Sequence, residues 1–159
     1  NSPLDGTAVA LGNGLAGLID LLSGGGYNQD MAASLQALTT QGSTNFNQFA
    51  PEGIPTSSCG EGSYSVNGVR YYSWGGDATF TNALDITDAF LIFTGATING
   101  ANDGLVERCD QHWGQVIGTR YNMNHLDAVN HIFGIHHLFE TDPLTLYKNQ
   151  AVRLKSAGL

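Results

Sequence analysis

The chain carries the stretch Asn102-Asp103-Gly104-Leu105-Val106, and 22 residues after its aspartate comes a histidine in Asn124-His125-Leu126-Asp127. Asp103 ends a loop rich in glycine and asparagine, a place from which a carboxylate can project into a cleft. His125 also falls in a predicted loop. The two residues are therefore candidates for the acid and the base of a catalytic site, although a simple Asp-Gly turn and a surface histidine would explain them equally.

An acid followed along the chain by a histidine is the order in which α/β-hydrolases place the last two members of their Ser, Asp/Glu, His triad. The nucleophilic serine of these enzymes lies in a G-x-S-x-G motif at a turn between a strand and a helix. No G-x-S-x-G occurs in the 159 residues. A hydrolase that used Asp103 and His125 would therefore take its nucleophile from outside this sequence.

Asp85 and Asp127 are a second pair of carboxylates, and Asp127 is only two residues from His125. Two carboxylates with backbone carbonyls form the hard oxygen site that calcium prefers, but both side chains could equally cap helices. Zinc is a further possibility because the chain has several more histidines. They are His112, His131, His136 and His137. The chain has neither H-E-x-x-H nor C-x-x-C, so no zinc motif supports this alternative.

The composition describes one globular unit of modest size. Of the 159 residues 42% are hydrophobic and 13% are charged, with 6 Lys plus Arg against 14 Asp plus Glu and a net charge of -8. Such a balance excludes a nucleic-acid partner, which requires clustered basic side chains. No apolar run approaches the roughly 20 residues of a membrane span, and no charged-then-apolar leader begins the chain. We therefore expect a soluble protein without a transmembrane segment, whose signal peptide has been removed.

Cys59 and Cys109 are the two cysteines. An even count in an acidic, neutral-polar chain is compatible with one disulfide formed in an oxidising compartment. Two buried free thiols are compatible with the same count. The cysteines alone leave both interpretations open.

Helical periodicity marks the first forty residues. Apolar residues between Thr7 and Leu22 share one helical stripe opposite a small, uncharged face, which predicts either a mobile cover or an ordinary packed helix. Gly24 to Gly26 would end this helix and act as a hinge. A second helix is predicted after Asn28, with Gly42 closing it.

The remainder of the chain mixes strands and helices. Ser63 to Trp74 predicts a β-hairpin around Asn67-Gly68, and Gly114 to Gly118 predicts a short strand. A short apolar segment, Ala89 to Phe93, follows Asp85, and a short helix is expected to begin near Asp127. The last helix has Asp142 as its cap and Pro143 in its first turn, with Leu144, Tyr147, Ala151 and Leu154 on one face. These strands are too few for a complete α/β sheet.

Several segments, taken together, resemble the pseudomonad-type secreted triacylglycerol lipases of Gram-negative bacteria. They follow one another in the family's order and cover essentially the whole chain, as the C-terminal half of such an enzyme. The segments are G-I-P-T-S-S-C-G-E-G at Gly53 to Gly62, V-N-G-V-R-Y-Y-S-W at Val66 to Trp74, N-D-G-L-V at Asn102 to Val106, N-H-L-D at Asn124 to Asp127, F-E-T-D-P at Phe139 to Pro143 and R-L-K at Arg153 to Lys155.

The resemblance implies a role for each candidate residue. It places the triad acid at Asp103, the triad base at His125 and a disulfide between Cys59 and Cys109. It also implies a calcium ion bound by the side chains of two aspartates and two main-chain carbonyls. These ligands would be Asp85, Asp127, His131 and Ile135. Most members of the family have an amide side chain where this chain has His131, a change that matters little if the ligand is the carbonyl.

The resemblance also implies the fold and the setting of the whole protein. The 159 residues would be the C-terminal half of one α/β-hydrolase domain, with a lid-helix region at 1–26 and a remainder at 27–159 that includes a short hairpin, the last sheet strand and the C-terminal helices. The N-terminal half would supply the nucleophilic serine, the oxyanion-hole donors and most of the parallel sheet.

By the same resemblance, the parent enzyme would be secreted through the periplasm with the help of a lipase-specific foldase chaperone. It would hydrolyse triacylglycerols or other esters at a lipid-water interface. Two alternatives remain at this stage. One is a non-catalytic, calcium-stabilised binding module. The other is a small zinc hydrolase centred on His125, Asp127 and His131.

Overall fold

The computed structural model describes Ala33, Gln36 and residues 40–159, and the chain divides into two compact units, Asn1–Pro51 and Glu52–Leu159. The predicted cover helix, its glycine hinge and the boundary after residue 26 lie outside the described residues. In the first unit helix α1 spans Thr40–Phe49. The prediction that Gly42 ends a helix is wrong, because Gly42 does not adopt the left-handed backbone of a C-terminal glycine and the helix continues through it.

A two-stranded antiparallel hairpin opens the regular structure of the second unit. Strand β1, Ser65–Val66, pairs with β2, Val69–Arg70, in the register Ser65↔Arg70. Between them Asn67 and Gly68 have φ angles of 52° and 83°, the positive pair that a tight two-residue turn requires. The turn is therefore confirmed. The hairpin ends at Arg70, however, and is shorter than predicted.

The residues predicted as the end of the hairpin belong to a different sheet. Strand β3, Tyr72–Gly76, pairs in parallel with β4, Gln115–Tyr121, and the register is irregular after Ser73 and after Trp74. The strand expected at Gly114 to Gly118 is thus confirmed and extends to Tyr121. A parallel pair needs a long connection, and here residues 77–114 provide it. This connection carries Asp85 and Asp103, while His125 follows the end of β4.

Helix α2, Asp88–Gly95, lies within this connection and contains the apolar segment predicted after Asp85. Leu91 is completely buried, and Gly95 allows the loop at Asn102 and Gly104 to approach closely. Short 3-10 turns span Arg108–Gln111, Asp127–Val129 and Ile132–Gly134. The short helix expected to begin near Asp127 does begin there, but as a single 3-10 turn of three residues.

Helix α3, Pro143–Ser156, closes the chain as predicted. Asp142 Oδ1 accepts a hydrogen bond of 2.8 Å from the backbone N–H of Leu144, which confirms the cap. Pro143 and Leu146 are its buried residues, whereas Leu144 and Tyr147 of the predicted face remain partly exposed. The Tyr147 ring contacts the Trp74 ring edge to face, with 5.2 Å between the centroids. Its hydroxyl donates a hydrogen bond to the Ala128 carbonyl, because the hydroxyl of a packed tyrosine usually finds a partner.

Cys59 and Cys109 form a disulfide, as the family resemblance implied. It joins the loop before β1 to the 3-10 turn at Arg108–Gln111. Among the described residues, no helix is long and apolar enough to span a membrane.

Candidate active site

Asp103 and His125 meet in the structure as the sequence order predicted. Asp103 Oδ2 accepts a hydrogen bond of 2.8 Å from His125 Nδ1, and the Asp103 carbonyl accepts the backbone N–H of His125, also at 2.8 Å. Asp103 is 3% exposed, while the His125 side chain is 39% exposed. The carboxylate is thus buried behind an imidazole that reaches solvent.

The loop around Asp103 holds the carboxylate by its second oxygen. Asp103 Oδ1 accepts the backbone N–H groups of Leu105 and Val106 at 3.0 and 2.8 Å. Gly104 has a φ of 100°, and a Cβ there would lie 2.7 Å from Leu91 Cβ, so only glycine fits the turn. Asn102 completes the loop by donating to the Gly95 and Gly100 carbonyls. The three donors to the Asp103 carboxylate, which are two backbone N–H groups and His125 Nδ1, leave it one orientation.

This geometry favours one tautomer of His125. An ionised carboxylate accepts the Nδ1 proton, so that Nε2 carries the lone pair. His125 Nε2 makes no hydrogen bond within the part of the chain that the structure describes. An imidazole with a buried carboxylate on one nitrogen and an accessible lone pair on the other can act as a general base.

Within the described residues, Asp85 and Asp127 each leave one buried carboxylate oxygen without a hydrogen-bond partner, Asp85 Oδ2 and Asp127 Oδ1. Their other oxygens are bound: Asp85 Oδ1 accepts the N–H and the hydroxyl of Thr87, and Asp127 Oδ2 accepts the N–H of Asn124. A buried carboxylate oxygen without a partner is costly, and a bound cation would remove the cost.

The electrostatics of Asp127 agree with this arrangement. Burial raises the pKa of Asp127 above its ordinary value, polar contacts to Thr81 and Asn124 oppose the rise, and the nearby charges of Asp85 and Asp88 add to it. Negative charge is therefore concentrated at this point, and none of the ion pairs among the described residues involves Asp85, Asp88 or Asp127. A divalent cation would supply that balance.

The other two expected calcium ligands are main-chain carbonyls. The His131 carbonyl accepts the N–H of Gly134 at 3.0 Å and keeps a second lone pair. Among the described residues, the His131 ring nitrogen Nδ1 is buried without a hydrogen-bond partner. Among the described residues, no backbone N–H donates to the Ile135 carbonyl. Both carbonyls therefore retain the capacity to bind a cation.

The zinc alternative is not supported. Over Ala33, Gln36 and residues 40–159, no three His, Cys, Asp or Glu side chains come together as a metal site, and this includes the set His125, Asp127 and His131. The remaining histidines are engaged elsewhere. His112 bridges the Gly60 carbonyl and the Thr119 hydroxyl, His136 contacts the Gly134 carbonyl, and His137 accepts the N–H of Phe139.

Sequence reasoning missed Asp88 and Asn124. Asp88 is 2% exposed, Asn124 is 0% exposed, and Asn124 Nδ2 donates to Asp88 Oδ1 at 2.7 Å. Asn124 directly precedes His125 in the sequence. Its contact with Asp88, 36 positions away, is visible only in the structure. The available signal was its place inside N-H-L-D.

Comparison with known proteins identifies relatives of the chain as a whole. No family model matches the chain. It is 61% identical over 96% of its length to a triacylglycerol lipase of Vibrio cholerae serotype O1, covering 49% of that protein. It is 37% identical over 96% of its length to a triacylglycerol lipase of Pseudomonas fragi, covering 55%, and 34% identical over 83% to one of Burkholderia plantarii, covering 46%. The chain thus spans about half the length of these curated relatives.

Proposed function

Because the chain belongs to the family of bacterial triacylglycerol lipases, as about half of such a protein, we propose that it supplies the acid and the base of a carboxylic ester hydrolase. One observation carries the proposal: the buried carboxylate of Asp103 holds Nδ1 of His125 and leaves Nε2 accessible. A relative's name gives the reaction class, and this pair gives the chemistry that the chain contributes to it.

The proposed reaction is acyl transfer through a serine. His125 Nε2 removes the proton of the serine hydroxyl as its oxygen attacks the ester carbonyl, and the same proton is then given to the departing alcohol. Water repeats the cycle: His125 takes its proton, the hydroxide oxygen attacks the acyl-serine, and the serine leaves protonated. Asp103 stays ionised, holds the tautomer and stabilises the imidazolium.

The serine, by this proposal, belongs to an N-terminal half that carries G-x-S-x-G, the oxyanion-hole donors and most of the sheet. Large apolar side chains exposed on the described residues support this second half, because a complete monomer rarely leaves so many of them uncovered. They include Leu84, Ile86, Phe93, Phe133, Leu138 and Phe139, which are 52 to 92% exposed. The N-terminal half would cover these side chains and complete one α/β-hydrolase fold.

The proposed substrate is a triacylglycerol or another long-chain ester at a lipid-water interface. The names of the relatives support this class. The amphipathic pattern of Thr7 to Leu22 supports a lid that would expose an apolar rim there. The Cys59–Cys109 disulfide supports secretion through an oxidising periplasm, where a lipase-specific foldase would assist maturation.

Calcium is the proposed cofactor, in a structural role. The free oxygens of Asp85 and Asp127 fit a hard cation, and the carbonyls of His131 and Ile135 would complete the ligand set. The ion would supply positive charge among buried carboxylates. The chain's own part is to connect the segment before α2 to the turn after His125 through these ligands.

The test is hydrolysis by the purified protein that contains this chain. We expect release of fatty acid from an emulsified long-chain triacylglycerol, and loss of nearly all of it in His125→Ala. His136→Ala is the matched control, because within the described residues the hydrogen bond of that ring goes to the Gly134 carbonyl and not to Asp103 or His125. Equal activity in the two variants would refute the assignment of the base. Calcium binding without any ester hydrolysis would instead support the binding-module alternative.

A further inference from the structure

Besides Asp103, the buried aspartates Asp85, Asp88 and Asp127 lie near the base, and within the described residues only two of these three have an unpaired oxygen. Asp85 and Asp127 each keep one free oxygen, as described above. Both oxygens of Asp88 are occupied instead. Asp88 Oδ2 accepts the N–H groups of Thr81 and Asn82 at 2.8 and 2.9 Å, and Oδ1 accepts Asn124 Nδ2 at 2.7 Å and, more weakly, the Thr81 hydroxyl. Asp88 therefore has no need of a cation.

Asn124 is the other half of this arrangement, and it uses all of its polar groups. Its Oδ1 accepts the N–H groups of Leu126 and Asp127, each at 2.8 Å, and its own N–H donates to Asp127 Oδ2. Its carbonyl accepts the N–H of Ala128. The side chain therefore folds the backbone around His125 into one turn, and Nδ2 fastens that turn to Asp88 on α2.

From these contacts we propose that Asn124, clamped by Asp88, is a positioning residue for His125. It is fully buried, so it acts through the histidine rather than on the ester. The clamp fixes the main chain on both sides of His125 and so sets where Nδ1 meets Asp103. Asp88 sits in the first turn of α2, where the helix dipole favours its charge. The expected effect on catalysis rests on the proposed function, whereas the effect on the position of His125 does not.

The pair can be tested by reversing its donor and its acceptor. Asn124→Asp places two carboxylates against each other, and Asp88→Asn places two amide donors against each other. The double variant Asp88→Asn/Asn124→Asp restores one donor and one acceptor with the same net charge, and its carboxylate can still accept the N–H groups of Leu126 and Asp127. Asn99→Asp, at an exposed position, is the control for added charge.

Two readouts are measured on the protein that contains this chain. The first is the downfield proton resonance of His125 Nδ1–H bonded to a carboxylate, which reports the histidine's position without any substrate. The second is kcat and KM for a soluble ester, per active site titrated with a phosphonate. We expect each single variant to lose the resonance and roughly a hundredfold in kcat, with KM little changed. We expect the double variant to recover both, and Asn99→Asp to resemble the wild type.

The outcomes separate positioning from mere stability. Lower melting temperatures with an intact resonance and normal kcat per titrated site in the single variants would overturn the proposal. A folded double variant without the resonance would overturn it too, as would a double variant that does not fold, since exchanging donor and acceptor preserves the clamp. A wild type that shows the resonance but hydrolyses no ester would defeat the proposed function and leave the positioning role standing.

Discussion

Asp103 divides its two oxygens between two tasks, and each task can be removed separately. One oxygen accepts two backbone N–H groups of its own loop, and the other accepts His125 Nδ1. No second carboxylate is bonded to His125 among the described residues, so no neighbour stands ready to replace Asp103. The Asp103 side chain therefore controls both the shape of the loop and the tautomer of His125.

Asp103→Asn tests the tautomer while keeping the shape. The amide oxygen can still accept the loop N–H groups, but the amide NH2 then faces His125 and favours the wrong tautomer. We expect kcat of the complete enzyme to fall by about 10⁴ with little change in melting temperature. Asp110→Asn, at an exposed aspartate in the neighbouring 3-10 turn, should change neither. A loss of less than about tenfold in Asp103→Asn would mean that another group orients His125.

The proposed binding of calcium by Asp85 and Asp127 predicts an effect on stability that precedes any effect on chemistry. A cation that binds only the folded state raises the free energy of unfolding by mass action. We therefore expect a chelator to lower the melting temperature of the wild type, and excess calcium to restore it. Asp127→Asn keeps an oxygen for the Asn124 N–H but loses the charge, so its melting temperature should respond less to the chelator. Identical wild-type melting curves with and without chelator would exclude the site.

At the scale of single residues, the sequence predicted those candidates that their order along the chain marks. Asp103 and His125 were found because a hydrolase places its acid and base in that order, and the structure joins them. Asp88 was passed over because nothing near it in the sequence marks it. Its partner Asn124 lies 36 residues away, and such a pairing is fixed only when α2 packs against the loop after β4.

At the scale of elements, turn chemistry was predictable and strand pairing was not. The turn at Asn67-Gly68 depends on two residues whose positive φ angles are a local property, and it is confirmed. The pairing of Tyr72–Gly76 depends on β4, some forty residues later. This β-rich segment was therefore wrongly assigned to the hairpin. The cap at Asp142 was again local and was predicted correctly.

Glu140 connects two elements and makes their junction sensitive to acid. Burial alone would raise the pKa of Glu140, but hydrogen bonds from the N–H groups of Asn122 and Thr141 outweigh it and lower the pKa below its ordinary value. A depressed carboxyl pKa stabilises the fold above the unfolded-state value of about 4.3, and the contribution disappears as the pH falls through the folded-state value.

Glu140→Gln should therefore cost stability at neutral pH and little at low pH. The measurement is the free energy of unfolding of both proteins by denaturant between about pH 7 and pH 3. We expect the difference between them to shrink steadily below about pH 5. Glu52→Gln is the matched control, because the Glu52 carboxylate accepts no hydrogen bond within the described residues. A difference that stays constant with pH would show that Glu140 acts through packing instead.

At the scale of the molecule, the second unit contains more polar than apolar buried residues among those described. Its buried hydrophobic residues are Leu91, Met123, Leu126 and Leu146, while nine polar or charged residues are buried with them. Its parallel sheet has two strands, although parallel sheets are normally covered on both faces. The sequence had predicted too few strands for a complete α/β sheet, and the described part agrees.

The absence of a G-x-S-x-G motif from the 159 residues predicts that this chain, isolated, does not catalyse. A serine hydroxyl is a weak nucleophile until a histidine accepts its proton, and here the histidine and its carboxylate occur without a nucleophile elbow. We expect no esterase turnover above background from the chain alone, and no labelling by a serine-directed phosphonate. Exposed apolar side chains such as Phe133 and Phe139 should also make the chain alone prone to association.

Joining the chain to an N-terminal half with G-x-S-x-G should restore both turnover and labelling, and the label should fall entirely on the added half. In the joined protein, His125→Ala should cost roughly four to six orders of magnitude in kcat and slow the labelling in parallel, because both reactions need the same proton acceptor. His136→Ala should leave both unchanged. Peptide mapping after labelling decides the matter: a phosphonate found on a serine of residues 1–159 would place the nucleophile inside this chain, and its pairing with a separate half would then be wrong.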